Sequence, residues 1–382
     1  MRGDRALLLA ARGLRAFAFG FSAVLIGVHL ERAGLAPGQI GLTLGVGLAA
    51  ASLTGLGSAA LAARTGRRRT LAVVGVLMAV TGFDLAFARD PLLLILSGVT
   101  GMLGAASVDY GPFASVEQAV LTETVPAAGR NRAFGRYSLT GGLFNAAGGL
   151  SATLLPDTRA YFLFYAAVGI VTAALPLLMS PGVEGEPAQP AFGSFKPLAG
   201  LAALFALDSL GGGFVANAVI AYWLHVRFGA EPAQLGPIFA AVAVLQSFSY
   251  EVSGRLADRF GLINMMVFTH LPSNLLLVLV PFAPTLALAV AVLLARFALS
   301  QMDVPARQAY IVSIVPPGER AGAVAMTGAV RGVAMSFGPA LAGVAIGAAA
   351  FGIPFFAGGG LKIIYDLGLF AGFRNRRAGH ET

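Results

Sequence analysis

The sequence predicts an all-α membrane protein of twelve transmembrane helices arranged as two parallel-repeat six-helix bundles. Three observations lead there: an apolar composition, a regular series of long apolar runs, and a weak internal duplication. Of 382 residues, 57% are hydrophobic and only 12% are charged, with a mean hydropathy of +0.79. Soluble chains carry roughly a quarter charged residues, because something polar must cover their outside. Most of this outer surface must therefore face lipid. That excludes a soluble enzyme and a disordered chain. The absence of cysteine excludes a disulfide scaffold, thiolate chemistry and cysteine-based zinc sites.

Crossing the hydrocarbon takes about 20 mostly apolar residues. Runs of that kind place spans near residues 14–30, 40–62, 70–88, 92–121, 133–155 and 161–179. After the polar stretch SPGVEGEPAQP, further spans fall near 198–226, 235–254, 262–280, 286–315, 322–348 and 353–373. The runs do not alternate in hydrophobicity, as barrel strands do. The expected organisation is an N-terminal bundle over 1–179, a cytoplasmic linker over 180–197 and a C-terminal bundle over 198–382.

Charge orients the spans. Arg2, Arg5, Arg12, Arg15, Arg64, Arg67, Arg68, Arg69, Arg130, Arg132, Arg136, Lys196, Arg255, Arg259, Arg320, Arg374, Arg376 and Arg377 flank one side, 18 in all. Arg32, Arg89, Arg159 and Arg227 make 4 on the other. The bias places both termini in the cytoplasm. The net charge of +8 thus reads as topology and inner-leaflet contact, and nucleic acid is not an expected partner. No cleavage site follows helix 1, so it is no secretory signal. Ala/Gly/Arg-rich usage points to a bacterial plasma membrane.

The duplication is visible in short strings. Pro37-Gly38-Gln39-Ile40-Gly41 returns 195 residues later as Pro232-Ala233-Gln234-Leu235-Gly236, and Arg64-Thr65-Gly66 as Arg259-Phe260-Gly261. Gln118-Ala119, Val125-Pro126 and Arg130 return 190 residues on as Gln308-Ala309, Val315-Pro316 and Arg320. Six spans per unit bring both copies in from the same side, with a site expected between them. Gly254-Arg255-Leu256-Ala257-Asp258-Arg259-Phe260-Gly261 resembles the cytoplasmic loop motif GxLaDRxGRR of the major facilitator superfamily. The first-half copy keeps Arg64, Gly66, Arg67 and Arg68 but has Ala59 and Ala63 where the family prefers Gly and Asp. The Gly-Pro motif of its drug–proton antiporters is missing from helix 5. The resemblance implies a secondary transporter working by alternating access, with helices 1, 4, 7 and 10 around a central cavity. Asp258 then serves a latch at the cytoplasmic end, by capping a helix or meeting Arg259, and Ala63 cannot match it. The alternative for the arginines of this loop is a lipid-headgroup anchor.

Ionisable residues inside apolar runs are costly and mark pathways or pairs. On the cavity helices these are Asp109 (beside Tyr110), Glu117, Asp208, Asp303 and Arg307. Asp303 and Arg307 are four apart on one helical face, as an ion pair requires. The 190-residue displacement sets Glu117 opposite Arg307, which suggests a gate closing when the cavity faces outward. Asp109 or Asp208 could carry a coupling proton, or be buried acids satisfied by backbone or by Ser209. Lys362 and Asp366 read as a structural i,i+4 pair on peripheral helix 12; Asp84 and Arg296 gain no partner from sequence. His29, His225, Tyr222 and the sole tryptophan, Trp223, fit interfacial anchors, with substrate stacking the alternative for Trp223. Gly41/Gly45, Gly328/Gly332 and Gly343/Gly347 suit close helix contact.

No HExxH, Walker or kinase signature appears, so an enzyme and direct ATP drive are not expected. No cofactor or metal is expected. The partners are a small solute, protons and the bilayer, and the chain is expected to act as a monomer. The rival on this scaffold is a lipid-moving or non-transporting membrane protein.

Overall fold

The computed structural model describes residues 2–105, 111–125, 130–184, 199–316 and 320–373; within them, the side chains of 2, 122–123, 130–132, 250–260, 305, 309, 312 and 320–321 are not described. Helices dominate: α1 (Arg2–Arg32), α2 (Pro37–Thr65), α3 (Arg67–Phe87), α4 (Pro91–Leu96), α5 (Pro112–Thr124), α6 (Arg130–Ser151) and α7 (Thr158–Ala174). The second half holds α8 (Ala199–Phe214), α9 (Asn217–Phe228), α10 (Pro232–Phe260), α11 (Leu262–Leu279), α12 (Leu286–Ser300), α13 (Asp303–Ser313), α14 (Arg320–Gly347) and α15 (Ile353–Phe373). Among the described residues, eight helical segments are long and apolar enough to cross a membrane. The other four expected spans fall on α4 with α5, on α6, on α10, and on α12 with α13. Large side chains such as Leu92, Phe248, Phe282 and Val344 stay more than half exposed, an apolar outer belt that suits lipid.

Three expected helices are broken, one of them the run 198–226, which divides into α8 and α9. Residues 92–121 read as one apolar run, yet α4 gives way to a 3₁₀ turn and to Gly101, Gly104 and Gly111, all at positive φ. Glycine alone tolerates that backbone region cheaply. The run 286–315 divides at Gln301–Met302 into α12 and α13. Hydropathy averaged over a span does not see these breaks, because glycines, or a single glutamine beside a methionine, barely change the mean of the run. Helix 1 differs in the other sense: α1 begins at Arg2, so Arg12 and Arg15 are not loop cations but lie inside it, each 1% exposed.

The repeated strings have a local structural cause. Gln39 accepts at Oε1 from the backbone N–H of Ala36 (2.9 Å), and Gln234 does so from Glu231 (3.2 Å). Each caps the start of an equivalent helix, α2 or α10. Gly66 (φ 91°) and Gly261 (φ 80°) make the equivalent sharp turns into α3 and α11. At Gly66 a side chain would also collide with Glu184, whose carboxylate accepts from the Arg67 N–H at the start of α3. Arg67 further donates to the Val183 carbonyl (3.0 Å), and Arg68 to the Pro176 and Leu177 carbonyls.

The near end is defined as the end where α1 begins, and the far end as its opposite. The halves meet along α2/α14, α6/α10 and α1/α9. The first two seams interchange when the repeats are swapped. Glycines allow the close approach: a β-carbon at Gly45 would lie 2.6 Å from the Ser336 carbonyl, one at Gly236 2.8 Å from that of Gly149, and one at Gly27 2.8 Å from the Tyr222 β-carbon. Contact runs from the far end to mid-depth, as far as Ser52 with Gly332 and Gly142 with Ser247. One or two turns nearer, on the same helical faces, Gly328 and Gly135 have nothing within 4 Å. Among the described residues, the close glycine contacts between the halves thus run from the far end to mid-depth and stop there. Further contacts join the halves at the far end: Arg32 pairs with Glu231 (3.1 Å), His225 Nε2 lies 2.9 Å from a Glu31 carboxylate oxygen, and Tyr222 donates to Glu31 (3.3 Å).

Candidate functional site

Packing at the glycine run of α8 assembles the site. A β-carbon at Gly211 would lie 2.7 Å from the Gly358 carbonyl of α15, and Gly213 abuts Met335 and Gly338 of α14. Without side chains there, α14 and α15 come close enough to present Arg331 and Lys362 to Asp208 and Ser209. The break between α8 and α9 follows at Val215–Ala216.

Asp208 is 3% exposed. Its Oδ1 accepts from Lys362 Nζ (2.7 Å) and its Oδ2 from Arg307 Nη1 (3.3 Å). The same Nη1 donates to Asp303 Oδ2 (2.8 Å), so one guanidinium nitrogen is shared by two carboxylates. Behind this lies a second cluster. Asp366 shares a hydrogen bond with His270 Nδ1 (2.9 Å) and accepts from Asn274 Nδ2 (2.8 Å), while His270 Nε2 lies 3.8 Å from Asp208. On the α14 side, Arg331 Nε donates to Ser209 Oγ (3.0 Å). Charges removed from water survive only when paired and hydrogen-bonded. This network satisfies that rule by linking five helices.

The first half holds a smaller arrangement. Arg15 grips Glu117 with both terminal nitrogens (2.8 and 2.6 Å), and the Tyr137 hydroxyl donates to the same carboxylate (2.7 Å). The Arg15 guanidinium lies 4.0 Å over the Phe113 ring and that of Arg12 4.3 Å over Tyr137. Planar guanidinium suits such bidentate and stacked contacts.

Several expectations need correcting. In this conformation Glu117 is taken by Arg15 and Tyr137 and the described bonds of Arg307 run to Asp303 and Asp208, while the expected Glu117–Arg307 gate closes only when the cavity faces outward. Lys362 and Asp366 do not pair. Their side chains diverge from α15, one to α8 and one to α11, because tertiary partners offer charge where the i,i+4 neighbour does not. Trp223 is 1% exposed, donates Nε1–H to the Phe351 carbonyl (2.9 Å) and packs on Phe355 (4.5 Å between rings), so it is a core residue and not an interfacial anchor. His29 is likewise buried, bonded to Thr158 (2.8 Å) and the Leu85 carbonyl (2.7 Å). His225 joins the far-end contacts.

Asp109 and Tyr110 lie outside the described residues, as do the side chains of Gly254, Asp258 and Arg259; the α10 backbone through them is helical. Arg64 is exposed, while Arg67 is buried in the loop contacts described above. Sequence reasoning missed His270, Asn274 and Arg15. His270 and Asn274 are four apart on one face of α11, a spacing that marks a polar stripe in an otherwise apolar helix. Nothing local to Arg15 signals Glu117, 102 residues away.

The apolar helices and their exposed outer belt define a polytopic membrane protein. A sequence model of the Major Facilitator Superfamily matches residues 8–207 and again 201–381, and the chain belongs to that family. It is 24% identical to an uncharacterised membrane protein of Saccharomyces cerevisiae, YJR124C, over 95% of this chain and 92% of the yeast one. Among solved structures, the nucleoside transporter NupG superimposes with a TM-score of 0.77 at 14% identity, covering 96% of this chain and 98% of NupG. The D-xylose–proton symporter superimposes with a TM-score of 0.72 at 16% identity, covering 95% and 97%. At such identities the likeness is one of fold.

Proposed function

We propose that the chain is a secondary active transporter that moves a small solute by alternating access and draws on a proton gradient. The observation that carries this reading is a buried charge network at the depth where the described close contacts between the halves end. Two halves joined by glycine-lined seams can rock about mid-depth, closing the near end as the far-end contacts part. With Arg12 and Arg15 removed from the loop count, 16 cations still flank the near end against 4 at the far end. The near end is then cytoplasmic, and the described conformation faces inward. The Ala/Gly/Arg-rich composition favours a bacterial plasma membrane, and the reading takes the functional unit as a monomer.

Asp208, Asp303 and Arg307 form the coupling site in this reading. One Arg307 nitrogen serves two carboxylates, so protonating either acid releases Arg307 to the other. A proton thereby changes which helix, α8 or α13, holds the guanidinium. Asp109 and Tyr110 would line the same cavity from the first half, and the loop residues Gly254, Asp258, Arg259 and Gly261, with Arg64, Gly66 and Arg67, would latch its cytoplasmic end.

Uptake into proteoliposomes under an imposed pH gradient tests the proposal. Asp208→Asn and Asp303→Asn are expected to lower gradient-driven uptake by at least about tenfold, equivalent to about 1.4 kcal/mol. Wild-type pH dependence in both variants would defeat the coupling assignment.

A further inference from the structure

Among the described mid-depth residues of the second half, lysines and arginines outnumber carboxylates. The described cations are Arg296, Arg307, Arg331 and Lys362; the described anions are Asp208, Asp303 and Asp366. Lys362 and Arg307 are satisfied by Asp208 and Asp303. Asp366 is held by His270 and Asn274 without a lysine or arginine. That leaves Arg296 and Arg331, and neither has a carboxylate partner among the described residues.

Arg296 is 5% exposed, its Nε has no hydrogen-bond partner, and its guanidinium lies 4.4 Å from the Phe297 ring centre. Arg331 is half-buried; its hydrogen bond is from Nε to neutral Ser209, and both terminal nitrogens are left over. Each sits at mid-depth. At 1.5 Å per residue, Arg296 lies about 15 Å along α12 from its far end, and Arg331 about 16 Å along α14 from its near end. Both act electrostatically on the same cluster, Arg331 on Asp208 and Arg296 on Asp208 and Asp303. Arg331 stands one residue before Gly332, at the last glycine contact of the α2/α14 seam; one turn nearer, Gly328 has nothing within 4 Å.

A buried guanidinium without a counter-charge is costly to keep and is retained where something else supplies the charge. We infer that the transported solute is a small organic anion, whose carboxylate docks on Arg331 and Arg296. The inference rests on the transporter reading and adds the substrate class. The planar fork of arginine fits a carboxylate with two parallel hydrogen bonds. Ser209 holds Nε of Arg331, which leaves the two terminal nitrogens to form that fork. The arriving anion also completes the charge balance of the closed cavity, so loaded carrier can shut where empty carrier is opposed by an unbalanced charge.

The test uses the full chain purified in detergent at constant ionic strength. Thermal unfolding is followed with sodium lactate, succinate, glutamate and benzoate, each beside its neutral amide. At least one carboxylate is expected to raise Tm by about 3 °C where its amide does not. Arg331→Gln is expected to weaken that binding by at least about tenfold and Arg331→Lys by less, since lysine keeps charge but not the fork. Arg296→Gln should weaken it independently. Equal shifts by acid and amide, no shift by any of the four acids, or wild-type binding in both glutamine variants overturns the inference. If a variant fails to fold, the acid-against-amide comparison on the wild-type chain still decides. Counterflow of a neutral solute in liposomes would sink the anion assignment while leaving the transporter reading intact.

Discussion

The two halves share a fold and a set of local devices, yet they use buried charge in opposite ways. In the first, Glu117 is saturated by Arg15 and Tyr137, a closed unit with nothing left to offer. In the second, carboxylates and cations are shared among α8, α11, α13 and α15, and Arg296 and Arg331 are left over beside them. Duplication preserved what the backbone requires, the Gln39/Gln234 caps and the Gly66/Gly261 turns. It left the buried charges free to diverge. In the proposed cycle the first half would be a rigid partner and the second the chemically active one.

Paired substitutions can break or sharpen this contrast. Glu117→Ala strands Arg15 in a dry site and is expected to cost about 3–5 kcal/mol in denaturant unfolding of the purified protein. An unchanged midpoint would mean the first-half pair is not closed. Asp366→Asn keeps the shape and loses only part of its bonding to His270 and Asn274. Its expected cost is about 1–3 kcal/mol in the same assay. A larger loss from Asp366→Asn than from Glu117→Ala would reverse the assignment of rigid and active halves. Where the halves are alike, the effects should match: Gln39→Ala and Gln234→Ala are each expected to cost about 1 kcal/mol, and a clear inequality would show that the caps too have diverged. Smallest is Arg32→Ala. Its exposed pair with Glu231 is worth up to about 1 kcal/mol and should fade at high salt, which unfolding at two salt concentrations would reveal.

What the sequence disclosed follows from the range of the forces involved. Apolar runs, caps and turns are local, so most helices and the repeated strings were readable. Asp303 and Arg307 were readable as a pair because both lie within one turn of one helix. The same local logic misled for Lys362 and Asp366, where packing across glycines brought better partners from α8 and α11. Arg15 was hidden for a third reason: the apolar run begins at Leu14, whereas the helix begins at Arg2, so a buried cation looked like a flanking one. Trp223 and His29 looked interfacial from position alone, since depth from the end of a run says nothing about which face of the helix is turned inward.

Trp223 has a practical consequence of its own. It is the chain's single indole, on α9 directly beside Tyr222, the residue that seats against Gly27 across the divide. Parting of the far-end contacts would lift Tyr222 off Gly27 and alter the setting of the adjoining indole, whose own contacts with Phe355, Phe228 and the Phe351 carbonyl lie within its half. Its ultraviolet emission is thus a built-in optical readout of that motion, available without attaching a dye and free of background from a second fluorophore of its kind.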